Sequence, residues 1–301
     1  VKRAISISIG SSQRDKQVEI DLLGEKVLIE RRGTDGDMEK AARLYQELDG
    51  KVDAFGVGGT DLGVLVDDRW YPLHSVQSLI RYVQKTPVVD GEGFKNTIEK
   101  RVAGFIDRQI GDYVRLKGRK VFITVGVDRW SMGKSFVDSG YEYVFGDLMF
   151  ALNLPFAIRR VSMIKLLAAI LMPVVGRLPF EWVYPTGHEQ EKRSPKWEKY
   201  YQWATVIAGD CHYVKRHMPD QMQGKVIATN TTTPADVDFF RQVGVKYLVT
   251  STPVLDGRSF GTNMMEAALI AASGKGRRLS HAEISQMLDE LGLQPQLQEL
   301  S

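Results

Sequence analysis

The stretch VFITVGVDRWSMGKSF, residues 121–136, decides how the second half of the chain is read. A β-branched apolar run ends at Gly126, and a helical pattern opens near Gly133. That order, a buried strand turning into a helix, is the unit from which parallel sheets are wound. Between the glycines lie Val127, Asp128, Arg129, Trp130, Ser131 and Met132. Such a turn can offer the free N–H groups of a helix start to an anion, with Ser131 adding a hydroxyl and Arg129 a charge. Asp128 stands where a phosphate-binding turn would carry another glycine, and its charge opposes a phosphate. The competing reading is an ordinary strand–helix turn in which Asp128 caps the helix.

The same rhythm recurs on both sides of this stretch. KVFITVG, YEYVFGD, ATVIAGD, KVIATN and KYLVTST read as short strands, with helical material at 131–139, 147–175 and in PADVDFFRQVG. The alternation predicts a doubly wound parallel sheet. Upstream the pattern is mixed. AISISIG and VDAFGVGG read as strands, QVEIDLLGEKVLIERRG and LGVLVDDRWYPL as hairpins, and GDMEKAARLYQELDG as a helix capped by Asp37 and closed by Gly50. Helices are expected at 74–84 and 93–109. The predicted fold is therefore α/β in two domains: a mixed α/β substrate-side domain over 1–115 and a Rossmann-like nucleotide-binding domain over 116–275. A helical tail follows over 276–301, with a capping-box spacing at Ser280 and Glu283.

Composition narrows the classes. The chain has 301 residues, 43% hydrophobic and 26% charged, with a net charge of +3. That is globular material without the basic excess of a nucleic-acid binder. The lone Cys211 excludes an internal disulfide or a multi-thiolate metal site, and the histidines 74, 188, 212, 217 and 281 lack metal-ligand spacing. MIKLLAAILMPVV, 163–175, is too short for a bilayer and contains Lys165 and Pro173; it is expected to be a buried helix ended by its proline. The chain opens directly into a strand, so a cytoplasmic protein is expected, with a small-molecule substrate, no nucleic acid, no membrane and a possible homodimer. The polar stretch 184–201 suits a lid, a dimer contact or a charged surface loop.

Ligands of an open α/β sheet gather beyond the carboxyl ends of its strands. Those ends here carry Gly126 to Gly133, Asp147, Asn230 and Thr231. Asp147 closes the next strand about twenty residues past Gly126, the spacing of an acid that binds an adenosine ribose. Gly126, Asp128, Arg129, Ser131, Met132, Gly133, Asp147, Asn230 and Thr231 are thus the candidate residues for a dinucleotide. In the first domain Ser11, Ser12 and Arg14 suit a carboxylate or phosphate, and Thr60 suits a hydroxyl. Lys95, just inside a helix start, is the candidate general acid–base, with Asp61 or Asp90 as partner.

The order of domains, with SIGSS at 8–12, GTDGD at 33–37, FGDL at 145–148 and DGRSFGTNMMEAALIAAS at 256–273, resembles the shikimate/quinate dehydrogenase family. The last segment is similar to the family's late D-G-x-x-M segment, whose helix returns to the cleft between domains. The resemblance implies hydride transfer between NAD or NADP and a hydroxylated carboxylic acid. It also implies that Asn263, Met264 and Met265 face the cleft, with Glu266 near a substrate-binding glutamine. The family's G-A-G-G cofactor turn and its lysine and aspartate motifs are absent, so Lys95 is assigned by position and chemistry. Two other classes stay open. One is a transferase binding phosphate through Arg129, Ser131 and DGRSFGTN, with Asp128 or Asp210 as base. The other is a metabolite-binding protein without turnover.

Overall fold

The computed structural model describes residues 1–179, 193–252, 254–255 and 258–301. His188, the 184–192 part of the polar insertion, Asp256 and Gly257 lie outside them. The first half contains β1 (Lys2–Ser8), β2 (Lys16–Leu22), β3 (Glu25–Gly33), β4 (Ala54–Gly58), β5 (Gly63–Val66), β6 (Arg69–Pro72) and β7 (Val88–Val89). Five of these strands form a sheet in the order β2-β3-β1-β4-β7, parallel except for β2. The hairpin joining β2 to β3 turns at Leu23 and Gly24, both at positive φ, as a two-residue loop between twisted strands requires. β5 and β6 form the second expected hairpin.

The second half contains β8 (Lys120–Ile123), β9 (Glu142–Phe145), β10 (Val206–Ala208), β11 (Val226–Thr229), β12 (Tyr247–Thr250), a small hairpin of β13 (Val254–Leu255) and β14 (Arg258–Ser259), and β15 (Gln296–Glu299). Its sheet runs β9-β8-β10-β11-β12-β15, parallel except for the last strand. Val206, Ile207, Ala208, Val226, Ile227 and Ala228 are completely buried, the mark of strands covered on both faces. The chain leaves β8 towards β9 on one side and resumes at β10 on the other, so the switch point lies between β8 and β10. This is a Rossmann-like α/β sheet.

Several expectations need correction: the expected helix 74–84 is a single turn, His74–Gln77, followed by a 3-10 turn, Ser78–Ile80, and the expected helical tail 276–301 ends in the strand β15. The helix Thr262–Ser273, assigned above to the second domain, packs on β1 and β4 of the first sheet. The reason is its composition: Met264 to Ala271 are all buried, and they cover a sheet face made of Ala4, Ile20, Val27, Ile29 and Ala54. The helix His281–Glu290 then lies against the helix Glu92–Glu99, with its capping box formed, and β15 returns to the second sheet. The expected helix 93–109 is two helices, Glu92–Glu99 and Val102–Leu116. Finally, the helix Val161–Val175 runs past Pro173 and buries only one face, through Ile164, Ala168 and Met172; Met163, Leu166, Ile170 and Val174 are exposed. Among the described residues no helix is long and apolar enough to cross a membrane.

Gly91 sets the junction from which the site is built. Its φ is +94°, and a Cβ there would lie 2.4 Å from the Asn263 amide nitrogen. The first sheet, the helix Glu92–Glu99 and the returning helix can meet so closely only at a glycine. Gly91→Ala is expected to cost about 2 kcal/mol or more in urea unfolding, from overpacking added to backbone strain; an unchanged unfolding midpoint would contradict this packing.

Candidate functional site

The carboxyl ends of the two sheets meet around the helix Glu92–Glu99. Asp90, at the end of β7, accepts from Leu62 N at 2.6 Å and Glu92 N at 3.1 Å, which fixes the helix start. One turn in, Lys95 Nζ donates to the Asp128 carbonyl at 3.3 Å. One turn further, buried Glu99 accepts from Arg129 Nη1 at 2.7 Å. Lys95 and Glu99 are four residues apart and share a helix face. The first unit thus delivers a cation and an anion to the strand ends of the second.

Arg129 stands at the switch point. Its Nη2 donates to Asp210 Oδ2 at 2.8 Å, and its Nε lies 3.3 Å from Asp128 Oδ2. Asp210 follows β10, and Asn230, after β11, donates to the same Asp210 oxygen at 2.8 Å. The guanidinium therefore serves three carboxylates. Glu99 Oε2 has no hydrogen-bond partner among the described residues. Against burial, Glu99, Asp128 and Asp210 hold Arg129 well above the ordinary arginine value. Burial likewise works against Asp210, but Arg129 and the His212 amide hold its carboxyl below the usual range.

Lys95 is a retained cation. Burial pulls its ammonium down, but Asp61, Asp128 and Glu99 outweigh both burial and Arg129 and leave it above the ordinary lysine value. Asp90 moves the other way: burial first, then the Asp61 charge, push it up to about 6. A protonated amine beside a carboxyl that titrates near neutrality can give and take a proton at one ligand oxygen. Glu266 is buried against the same helix and accepts from Phe94 N at 3.1 Å. Burial first, then Asp90 and Glu92, outweigh the Phe94 amide and raise it to about 8.

The structure brings Lys95, Asp61, Asp90, Asp128, Arg129 and Asn230 together. Thr60 is buried beside them, its hydroxyl turned to the Asp61 carbonyl at 3.2 Å. Ser11, Ser12 and Arg14 lie on the loop after β1, where Ser11 Oγ accepts from Gln13 N and Ser12 N donates to Asp35. Thr231 meets Thr252 at 2.7 Å and lines a cavity of about 330 Å³ with Gln296 and Gln298. None of the charged cluster lines that cavity.

Other expected site residues are corrected. Met265 is fully buried in the core of the first unit, because the returning helix is apolar almost all round. Asn263 donates to Ser6 Oγ at 2.8 Å and ties that helix to β1. Ser131 and Met132 are buried in the first turn of the helix Trp130–Asp138, out of reach of a ligand. Gly126 and Gly133 are needed by the Phe145 ring, which a Cβ would meet at 2.4 Å and 3.2 Å respectively. Asp147 is turned inward, accepting from Gly126 N and Val127 N, both at 2.9 Å. Sequence reasoning missed Glu99; its signal was a glutamate one turn past Lys95 on the same helix face.

Two outcomes follow from the buried charges. Arg129→Leu strands Glu99 and is expected to cost about 3–5 kcal/mol in urea unfolding; a loss below about 1 kcal/mol would contradict the clamp. The raised Asp90 value makes its contribution to stability fully present below the ordinary aspartate pKa of about 4 and lost as pH rises through about 6. Asp90→Asn should therefore flatten the fall in unfolding midpoint across that interval. A steeper fall in the variant would reverse the sign.

Comparison with known proteins adds the following. No curated protein matches the chain. Among solved structures it is similar to a malic enzyme of Entamoeba histolytica, at 10% identity and a TM-score of 0.34, over 86% of this chain and 59% of that one. It is similar to an NAD-dependent malic enzyme of Thermotoga maritima, at 10% identity and a TM-score of 0.36, over 95% and 84% of the two chains. A Mycobacterium smegmatis protein gives 10% identity and a TM-score of 0.36 over 97% and 95%. The chain thus spans less than two thirds of the Entamoeba enzyme, and likenesses this distant assign it no activity. A family model described as "Domain of unknown function (DUF8753)" matches residues 3–90, and one described as "Domain of unknown function (DUF8754)" matches residues 93–300. The second model covers more than half of the sequence, including Lys95, Glu99, Arg129 and Asp210, and the chain belongs to the DUF8754 family.

Proposed function

We propose that the protein is a dehydrogenase-like enzyme that moves a proton at a hydroxyl or carbonyl oxygen of a small hydroxylated carboxylic acid. The observation that carries this is Lys95, a buried ammonium that donates to the Asp128 carbonyl at 3.3 Å and, against burial, is held above the ordinary lysine value by Asp61, Asp128 and Glu99, with Asp90 within reach of its charge. Its N–H groups hydrogen-bond and polarise the ligand oxygen while the ammonium keeps its proton, and Asp90, titrating at about 6, is the group that gives the proton in one direction and takes it back in the other. The substrate class rests on the resemblance to shikimate/quinate dehydrogenases.

A dehydrogenase takes its hydride chemistry from NAD or NADP. The residues at the Gly126–Gly133 turn do not fit the pyrophosphate of either. Two of the turn's amides serve Asp147, Arg129 serves three carboxylates, and Ser131 is buried. The same facts count against a transferase that grips phosphate with Arg129 and Ser131. A metabolite-binding protein without turnover is the second reading, favoured by the closed turn.

The test is a panel of hydroxylated acids, including quinate and shikimate. Binding is followed by thermal shift, and conversion by mass spectrometry with each nicotinamide nucleotide present. The proposal expects one acid to raise the melting temperature and be converted, and Lys95→Met to lower conversion by about 10²–10⁴-fold. Binding without conversion under every condition would select the second reading, and full conversion by Lys95→Met would remove Lys95 from the mechanism.

A further inference from the structure

The residues around Gly126 carry a conclusion that goes beyond the proton chemistry at Lys95 and stands independently of it. We infer that Asp147 is the chain's own occupant of the turn after β8, holding the amides that a ligand's phosphate would need and so excluding dinucleotides there. Three observations support it. First, both Asp147 oxygens are engaged, Oδ2 by Gly126 N and Oδ1 by Val127 N, each at 2.9 Å. A carboxylate bound through both oxygens to two consecutive amides presents those N–H groups with the anion they would otherwise take from a ligand. Asp147 is itself almost completely buried.

Second, the glycines have a complete internal explanation. A side chain at Gly126 would strike Phe145 Cδ1 at 2.4 Å, and one at Gly133 would crowd Phe145 Cε1 at 3.2 Å and Ile123 Cγ2 at 3.4 Å. The strand–turn–helix packs on a buried aromatic ring, and the glycines make room for that ring. Third, the carboxyl end of β9 is taken. Phe145 N donates to the Ile158 carbonyl at 2.8 Å and Ile158 N donates back at 2.9 Å, which closes the edge beside Asp147. Asp128, facing Arg129 Nε at 3.3 Å, adds a second negative charge to the turn.

In this arrangement Asp147 is a specificity-determining residue. An acid that anchors a ribose and an acid that plugs the turn occupy the same place in sequence, yet they respond oppositely to removal. The experiment compares native protein with Asp147→Ala by calorimetry and thermal shift, using NAD, NADH, NADP, NADPH and inorganic pyrophosphate as probes. The expected result is at least a tenfold gain in pyrophosphate affinity in Asp147→Ala over the native protein, with no dinucleotide bound more weakly by Asp147→Ala than by the native protein. Native binding of a dinucleotide that Asp147→Ala weakens tenfold or more would overturn the inference and make Asp147 a ribose anchor. A folded variant that gains nothing would also overturn it. If Asp147→Ala does not fold, Asp147→Asn carries the same test, because its NH₂ end cannot accept from an amide and frees one N–H group. The readout is binding of pyrophosphate and dinucleotides and not conversion of an acid, so a failure here and a failure of the proton-transfer proposal are separately visible.

Discussion

Everything that faces the centre of this molecule depends on the guanidinium of Arg129. It joins Glu99, delivered by a helix that starts at the edge of the first sheet, to Asp128 and Asp210, delivered by two strands of the second. Buried ion pairs of this kind contribute little net stability, because removing the charges from water costs about as much as their attraction returns. What they fix is position. A guanidinium offers five donors in one plane, and here it sets the distance and angle between two α/β units. Lys95 lies on the same helix face as Glu99, so the clamp also decides where the ammonium sits.

The clamp has an electrostatic consequence. Arg129 is spent on internal carboxylates, which leaves Lys95 as the cation at the centre of an otherwise acidic junction of Asp61, Asp90 and Asp128. An acidic junction suits an ammonium that keeps its proton and hydrogen-bonds an oxygen, and it repels a polyphosphate. The inward-turned Asp147 extends the same logic to the neighbouring turn. Two features that resemble nucleotide binding, a glycine turn and an acid beyond the next strand, here satisfy packing and hydrogen-bonding needs of the chain itself.

Much of this was legible in the sequence. Five short apolar strands separated by helices announced the parallel sheet, Gly24 the first hairpin, and Ser280 with Glu283 the capped tail helix. Lys95, Asp61 and Asp90 were singled out from helix position and charge, and the fold gathers them. The returning helix was read into the wrong unit because periodicity reports burial and not the identity of the surface that buries it. Ser131, Met132 and Asp147 were read as ligand contacts because spacing cannot show which way a side chain turns. Phe145 decided that: its ring requires the glycines and crowds the turn. Glu99 was overlooked because a lone glutamate in a helix is ordinarily solvated, and only the fold sets Arg129 beside it.

The central claim is that Lys95 remains an ammonium at the meeting point of the two sheets, and its protonation state tests this most directly. Protein carrying ¹³C at lysine Cε, with the Lys95 signal assigned by its loss in Lys95→Arg, can be titrated by NMR. A midpoint above the ordinary lysine value of about 10.4 is the predicted result, because the surrounding carboxylates outweigh burial. A midpoint displaced below that value, into the range of a neutral amine at physiological pH, would contradict the account and make Lys95 a base or a buried structural group.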